Sequence, residues 1–189
     1  KCLIGNSVCT GLATSEATLT VQTSPSVTSD PSNVDVCDGG NTSFTIAATG
    51  SALSYQWQVD QGSGFASVSG TEYSGITGTT LSITGAAMAK DGYQYRCFVT
   101  NATCTPDISN AATLNIKALP TITSSPQDIT VCVTDDPTFT VAATGDGITY
   151  QWQYDDGSGF TDAPNSGIFS NVTSSTFTLP DVTATYVCL

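Results

Sequence analysis

The sequence predicts an all-β protein built of small antiparallel sandwiches in tandem, and three observations predict it. The first is an internal repeat. Residues 44–65 recur as residues 139–160 at a shift of 95 without a gap, and 15 of these 22 positions are identical. A period near 95 is the size of one small sandwich, so 189 residues hold about two. The second is alternation: short runs switch between apolar and polar residues at period two and end at Gly, Pro, Asn or Asp. The third is cysteine register. Cys37 matches Cys132, Cys97 matches Cys188 and Cys2, and Cys104 matches Cys9 under the same shift.

Each element follows from that pattern. Residues 1–9 superpose on 96–104, so 1–21 read as the tail of a preceding module whose body is absent. Residues 22–117 read as a complete module, and 118–189 as a module lacking its last strand. Within the complete module, Phe44 and Ile46 open one strand, and Leu53, Tyr55, Trp57 and Val59 line the inner face of the next. Leu81 and Ile83 mark a third strand, Tyr93 to Val99 a fourth, and Ala112, Leu114 and Ile116 the last. Such alternation suits an antiparallel sheet that is buried on one face. Residues 60–64 and 155–159, each Asp-x-Gly-Ser-Gly, read as hairpin turns in which Gly supplies positive φ. The linkers 22–31 and 117–126 each hold two prolines six residues apart, Pro25/Pro31 and Pro120/Pro126. Proline removes a donor and confines its strand to a sheet edge, so the linkers are expected to be extended and the modules to stack as a stiff rod.

Composition narrows the function. Sixteen acidic residues against four basic ones give a net charge of −12. That opposes binding to nucleic acid or anionic lipid, which needs Lys and Arg. No run of 18 apolar residues is present, so no membrane insertion is expected. There is no His, so a Ser–His or Cys–His nucleophile system cannot be built, and a zinc site is disfavoured. The chain is therefore read as non-enzymatic, without a cofactor or metal. Calcium held by loop carboxylates is the alternative, although Asp135/Asp136 and Asp155/Asp156 suit turn chemistry better.

From here a resemblance adds to the reading. Trp57 and Trp152 stand where the strand-C tryptophan of an immunoglobulin-like sandwich packs across the core. Asp91-Gly-Tyr-Gln-Tyr95-Arg-Cys97 resembles the strand-F signature, with Tyr95 as its corner tyrosine, and Tyr186 keeps that place before Cys188. Residues 111–116 and 16–21 look like strand G. The whole run resembles tandem immunoglobulin-like repeat modules of large surface and adhesion proteins of the Bacteroidota type. The resemblance implies tandem immunoglobulin-like antiparallel β-sandwiches, core roles for Trp57, Trp152, Tyr95 and Tyr186, and an extracellular, cell-surface location. It departs from the antibody pattern at strand B, where Ala48 and Ala143 stand near the expected cysteine.

Cysteines in register in small β modules point to disulfides and an oxidising compartment. The first pairing is Cys37–Cys97 and Cys132–Cys188, which closes similar loops in both modules. A hairpin pairing, Cys2–Cys9 and Cys97–Cys104, is the second. The third joins a Cys104-type residue to a Cys37-type residue of a neighbouring module, so that Cys2, Cys9 and Cys104 are candidates for bonds between modules or chains. Asn41, Asn101 and Asn171 head matches to the N-glycosylation pattern, which arise by chance in a chain this rich in Ser and Thr. Phe65, Tyr73, Ile76, Phe160, Ile168 and Phe169 are the candidate exposed contact residues.

The sequence therefore reads as a structural segment of an extracellular filament or adhesin stalk. Its expected partners are neighbouring modules of the same protein, in a homopolymer or long array, with surface glycans or proteins as further candidates. Two other readings stand beside it: a fibre subunit completed by addition of the spare strand at 13–21, and a glycan- or protein-binding module using loops 66–79 and 161–175.

Overall fold

The computed structural model describes residues 1–9 and 11–182. The protein is all-β, and a 3-10 turn at Met88–Lys90 is its one helical element among the described residues. Contacts divide the chain into two compact units, one of residues 1–34, 41–84 and 92–115, the other of residues 35–40, 85–91 and 116 onward.

At the N-terminus, β1 (Leu3–Ile4) and β2 (Leu12–Ala13) form an antiparallel hairpin that pairs Leu3 with Ala13 and Ile4 with Leu12. Its apolar side chains are exposed, Leu12 at 82%. Strands β3 (Ser26–Ser29), β4 (Val34–Cys37), β5 (Gly40–Thr45), β6 (Ala47–Thr49), β7 (Ser54–Asp60) and β8 (Phe65–Ser67) follow. Next come β9 (Tyr73–Ser74), β10 (Thr80–Ala86), β11 (Gln94–Thr100), β12 (Asp107–Ile108) and β13 (Ala112–Lys117). One sheet runs β4-β13-β11-β7-β8, with β12 attached to β11; the strands β5-β10-β9 form the other, and β3 pairs with β6.

The alternation read from the sequence is what makes this a sandwich. Phe44, Trp57, Leu81, Ile83, Tyr95, Val99 and Leu114 are essentially inaccessible, while their immediate neighbours face outward. Strand β3 lies between buried Pro25 and Pro31, as a proline-flanked edge requires. Side chains replace some of the missing ladder: Asp107 Oδ2 accepts from Val27 N at 2.7 Å, and Asn33 Oδ1 from Thr113 N at 2.8 Å. Strand β4 runs parallel to β13, because Asn33 meets Thr113 and, further along both strands, Asp38 donates to Lys117 O at 2.9 Å.

The second unit carries β14 (Thr121–Ser124), β15 (Thr138–Thr140), β16 (Ala142–Thr144), β17 (Gln153–Asp155), β18 (Phe160–Asp162) and β19 (Thr176–Thr178). They pair as β14-β16, β15-β19 and β17-β18. Buried Ala163, Val172, Phe177 and Leu179 form its core, with Phe139, Trp152, Tyr154, Ile168, Phe169 and Val182 packed against them. The repeat reappears as hydrogen bonds. Trp57 donates its backbone N–H to Ile76 O at 2.9 Å and accepts from Val68 N; Trp152 donates to Val172 O at 2.8 Å and accepts from Ala163 N.

Candidate functional site

The aromatic core residues come first. Trp57 is fully buried and its indole donates to Gly78 O at 2.9 Å. Trp152 is half-buried, donates to Ser174 O at 2.8 Å and stacks on Phe177 at 5.3 Å. A tryptophan held on one edge by a carbonyl and on its face by a ring belongs to packing rather than to a ligand platform. Tyr95 is fully buried, and its hydroxyl meets that of Tyr73 at 3.1 Å. Burial, then that hydroxyl contact, pushes the Tyr95 phenol far above its usual range. Tyr186 and Cys188 lie outside the described residues.

The contact residues need correction. Tyr73 is buried, not exposed, because β9 turns it under the sheet onto Tyr95. Ile168 and Phe169 pack on the second core, Phe169 at 4.9 Å from Tyr154, and Ile76 is half-buried. Phe65 is covered by the Arg96 guanidinium, 3.9 Å from its centroid. Phe160 alone of the six is fully exposed, at 74%.

The acidic turns act on their own backbone. Asp60 Oδ1 accepts from Gly62 N and Gly64 N, both at 2.8 Å, and Asp155 Oδ1 accepts from Gly157 N and Gly159 N at the same distance. Gly62 and Gly64 hold φ of 97° and 104°, which a Cβ would oppose. The Gly64 and Gly62 amides hold the Asp60 carboxyl below its usual range, and the Ser158 hydroxyl does so for Asp156. Asp135 Oδ2 accepts from Cys132 N, and Asp136 Oδ1 from Asp181 N. Among the described residues no three His, Cys, Asp or Glu side chains group to hold a metal.

Sheet order argues against Cys37–Cys97, while Cys132–Cys188 reaches outside the described residues. Cys2, Cys9, Cys37, Cys97, Cys104 and Cys132 are not bonded to one another. Strand β13 separates β4 from β11, so Cys37 lies two inter-strand spacings, about 9.5 Å, from Cys97's strand. That exceeds the Cα reach of a disulfide. Cys97 also faces the core while Cys37 is exposed. Burial pushes the Cys97 thiol up to about 11. The hairpin pairing fails too, since Cys97 sits three residues inside β11, about 10 Å from its end, and Cys104 lies beyond it in the turn.

One residue carries more of the structure than the sequence suggested. Asn101 is buried, and its amide donates to Thr23 O at 3.2 Å and Ser51 O at 3.1 Å. Its Oδ1 accepts from Thr103 N at 3.1 Å and Cys104 N at 2.7 Å. It therefore shapes the turn between β11 and β12 and ties it to the linker, and it is not a glycan acceptor in the folded chain. The repeat was the signal: Asn6 Oδ1 accepts from Val8 N at 3.0 Å and Cys9 N at 2.8 Å. The same turn places the Cys104 thiol 3.8 Å from Gln22 O. A matching clasp closes the other linker, where Ala118 N donates to Asp146 Oδ2 at 2.7 Å immediately after β13 ends at Lys117.

Comparisons with known proteins agree with this architecture. A family model described as a PKD-like domain matches residues 20–91. Endoglucanase C of Cellulomonas fimi is 34% identical over 126 residues, 66% of this chain and 11% of that protein. The chain thus spans about a tenth of that relative's length. Among solved structures, a three-immunoglobulin-domain fragment of titin is similar at 18% identity with a TM-score of 0.64, over 86% of this chain and 57% of the fragment. Immunoglobulin domains 1–5 of Sidekick-1 match at 20% identity with a TM-score of 0.61, over 87% of this chain and 34% of theirs. At such identities the likeness shows the fold, and the chain is a run of immunoglobulin-like β-sandwich repeat modules.

Proposed function

We propose that this chain is a non-catalytic structural segment of a longer extracellular protein, a stalk or filament built from tandem immunoglobulin-like modules. The observation that carries the reading is the clasped linker within a 95-residue repeat. Strand β13 ends at Lys117, and Ala118 is already bonded to Asp146. No slack residue lies between the last strand of one module and the first tie of the next. Such a linker favours a spacer that resists bending over a flexible tether. The acidic surface supports solubility of a long array. The stretch matched in Endoglucanase C occupies a small part of that protein, which fits a module that serves as one segment of a far longer chain.

Electron microscopy of the native material, paired with reducing and non-reducing denaturing gels, tests the reading. Extended rods with a repeat of one module length, ~40 Å, are expected. Isolated short particles would overturn it.

A further inference from the structure

We propose that a disulfide closes each joint between consecutive modules, joining the Cys37-type cysteine of one module to the Cys104-type cysteine of the next. The proposal rests on the array reading above and adds a covalent lock to it.

The two ends of the first module supply the geometry. At its entrance, Cys104 Sγ lies 3.8 Å from the carbonyl oxygen of Gln22, and Thr103 Oγ1 donates to Gln22 Oε1 at 3.2 Å. At its exit, Asp38, the residue after Cys37, donates to the carbonyl oxygen of Lys117 at 2.9 Å. Gln22 and Lys117 are the same repeat position, 95 residues apart. At a joint between repeats, the Cys104-type thiol of the following module and the Cys37-type segment of the preceding one therefore rest on the same carbonyl. Bond lengths hold the Cys37 sulfur within about 8 Å of that oxygen. A carbonyl oxygen has two lone pairs, so both contacts fit at once.

The remaining cysteine chemistry agrees. Cys37 and Cys132 are exposed and Cys104 is half-buried, whereas Cys97 is sealed in the core. In the first module, Cys37–Cys97 fails on sheet order and Cys97–Cys104 on hairpin length, as described. Asn101 and Asn6 form the same turn, so the thiols of Cys104 and Cys9 are presented alike. The bond would form by thiol–disulfide exchange with an external disulfide donor. The two cysteines lose two protons and two electrons as the S–S bond forms, and the donor leaves as two thiols.

The test is disulfide mapping of the native, unreduced parent protein, alkylated under denaturing conditions before digestion. Expected is a linked peptide pair joining Cys104 to a Cys37-type cysteine, with Cys97 alkylated. Cys104 found alkylated, or bonded to Cys97, overturns the proposal. A second arm uses Cys104→Ser in the parent protein, which should free one Cys37-type thiol to alkylation while the fold remains intact by circular dichroism. No newly freed thiol also overturns it. Rods with alkylated Cys104 would sink the lock and leave the stalk standing, whereas short particles would sink the stalk itself.

Discussion

Asn101 shows how much one buried polar side chain can hold. It serves two carbonyls and two amides at once. Asn101→Ala leaves all four without that partner, and buried groups so stranded cost about 1–3 kcal/mol each at most, less where water enters. We expect a loss of roughly 2–3 kcal/mol, read as a lower urea midpoint with an unchanged slope. Cys97 gives a second expectation. Burial holds its folded thiol at about 11, above the ordinary thiol value of 9.0. Its contribution to stability is therefore fully present below pH 9 and is lost as pH rises toward 11. In the folded chain after mild reduction at pH 8, Cys97 should resist iodoacetamide while exposed Cys37 and Cys132 react, as peptide mass mapping would show. The Asp60 turn titrates the other way: its depressed carboxyl stabilises the fold above the ordinary carboxylate range, and that contribution disappears as pH falls through its folded pKa. Asp60→Asn should flatten the acid limb of a thermal-stability profile.

At the scale of elements, the strands were legible because period-two alternation is a local signal. The runs containing Trp57, Tyr95 and Leu114 folded as β7, β11 and β13 with the anticipated faces inward. The hairpin at the N-terminus shows the same locality, since Leu3–Ala13 and Ile4–Leu12 repeat the register of Phe98–Ile108 and Val99–Asp107. Cysteine pairing was not legible, because it depends on sheet order, and β13 stands between β4 and β11. Tyr73 was misplaced for a related reason. A two-residue strand shows no period, and only pairing with β10 turns it inward. The clasp at Ala118 yields a prediction for this scale. Inserting Gly-Ser-Gly-Ser after Lys117 should broaden the intramolecular pair-distance distribution in small-angle scattering without lowering the melting temperature of either sandwich. An unchanged distribution would show that the linker does not set the bending.

For the whole molecule, charge dominates behaviour in solution. Net −12 makes neighbouring copies repel, and the repulsion is screened beyond about 10 Å at 0.1 M salt. Association between copies of the chain should therefore rise with ionic strength, and light scattering across about 0.01 to 0.5 M salt checks this. No helix among the described residues is long and apolar enough to cross a membrane.

The parallel pairing of β4 with β13 bears on tension. In a stretched array each module is pulled backward at its entrance and forward at its exit. Strand β4 then slides against β13 along their common direction. Bonds loaded in shear share the force and must break together, whereas a ladder peeled from one end gives way rung by rung. In a load-bearing stalk of the kind proposed, the short segment from Val34 to Cys37 would hold until its rungs fail in one event.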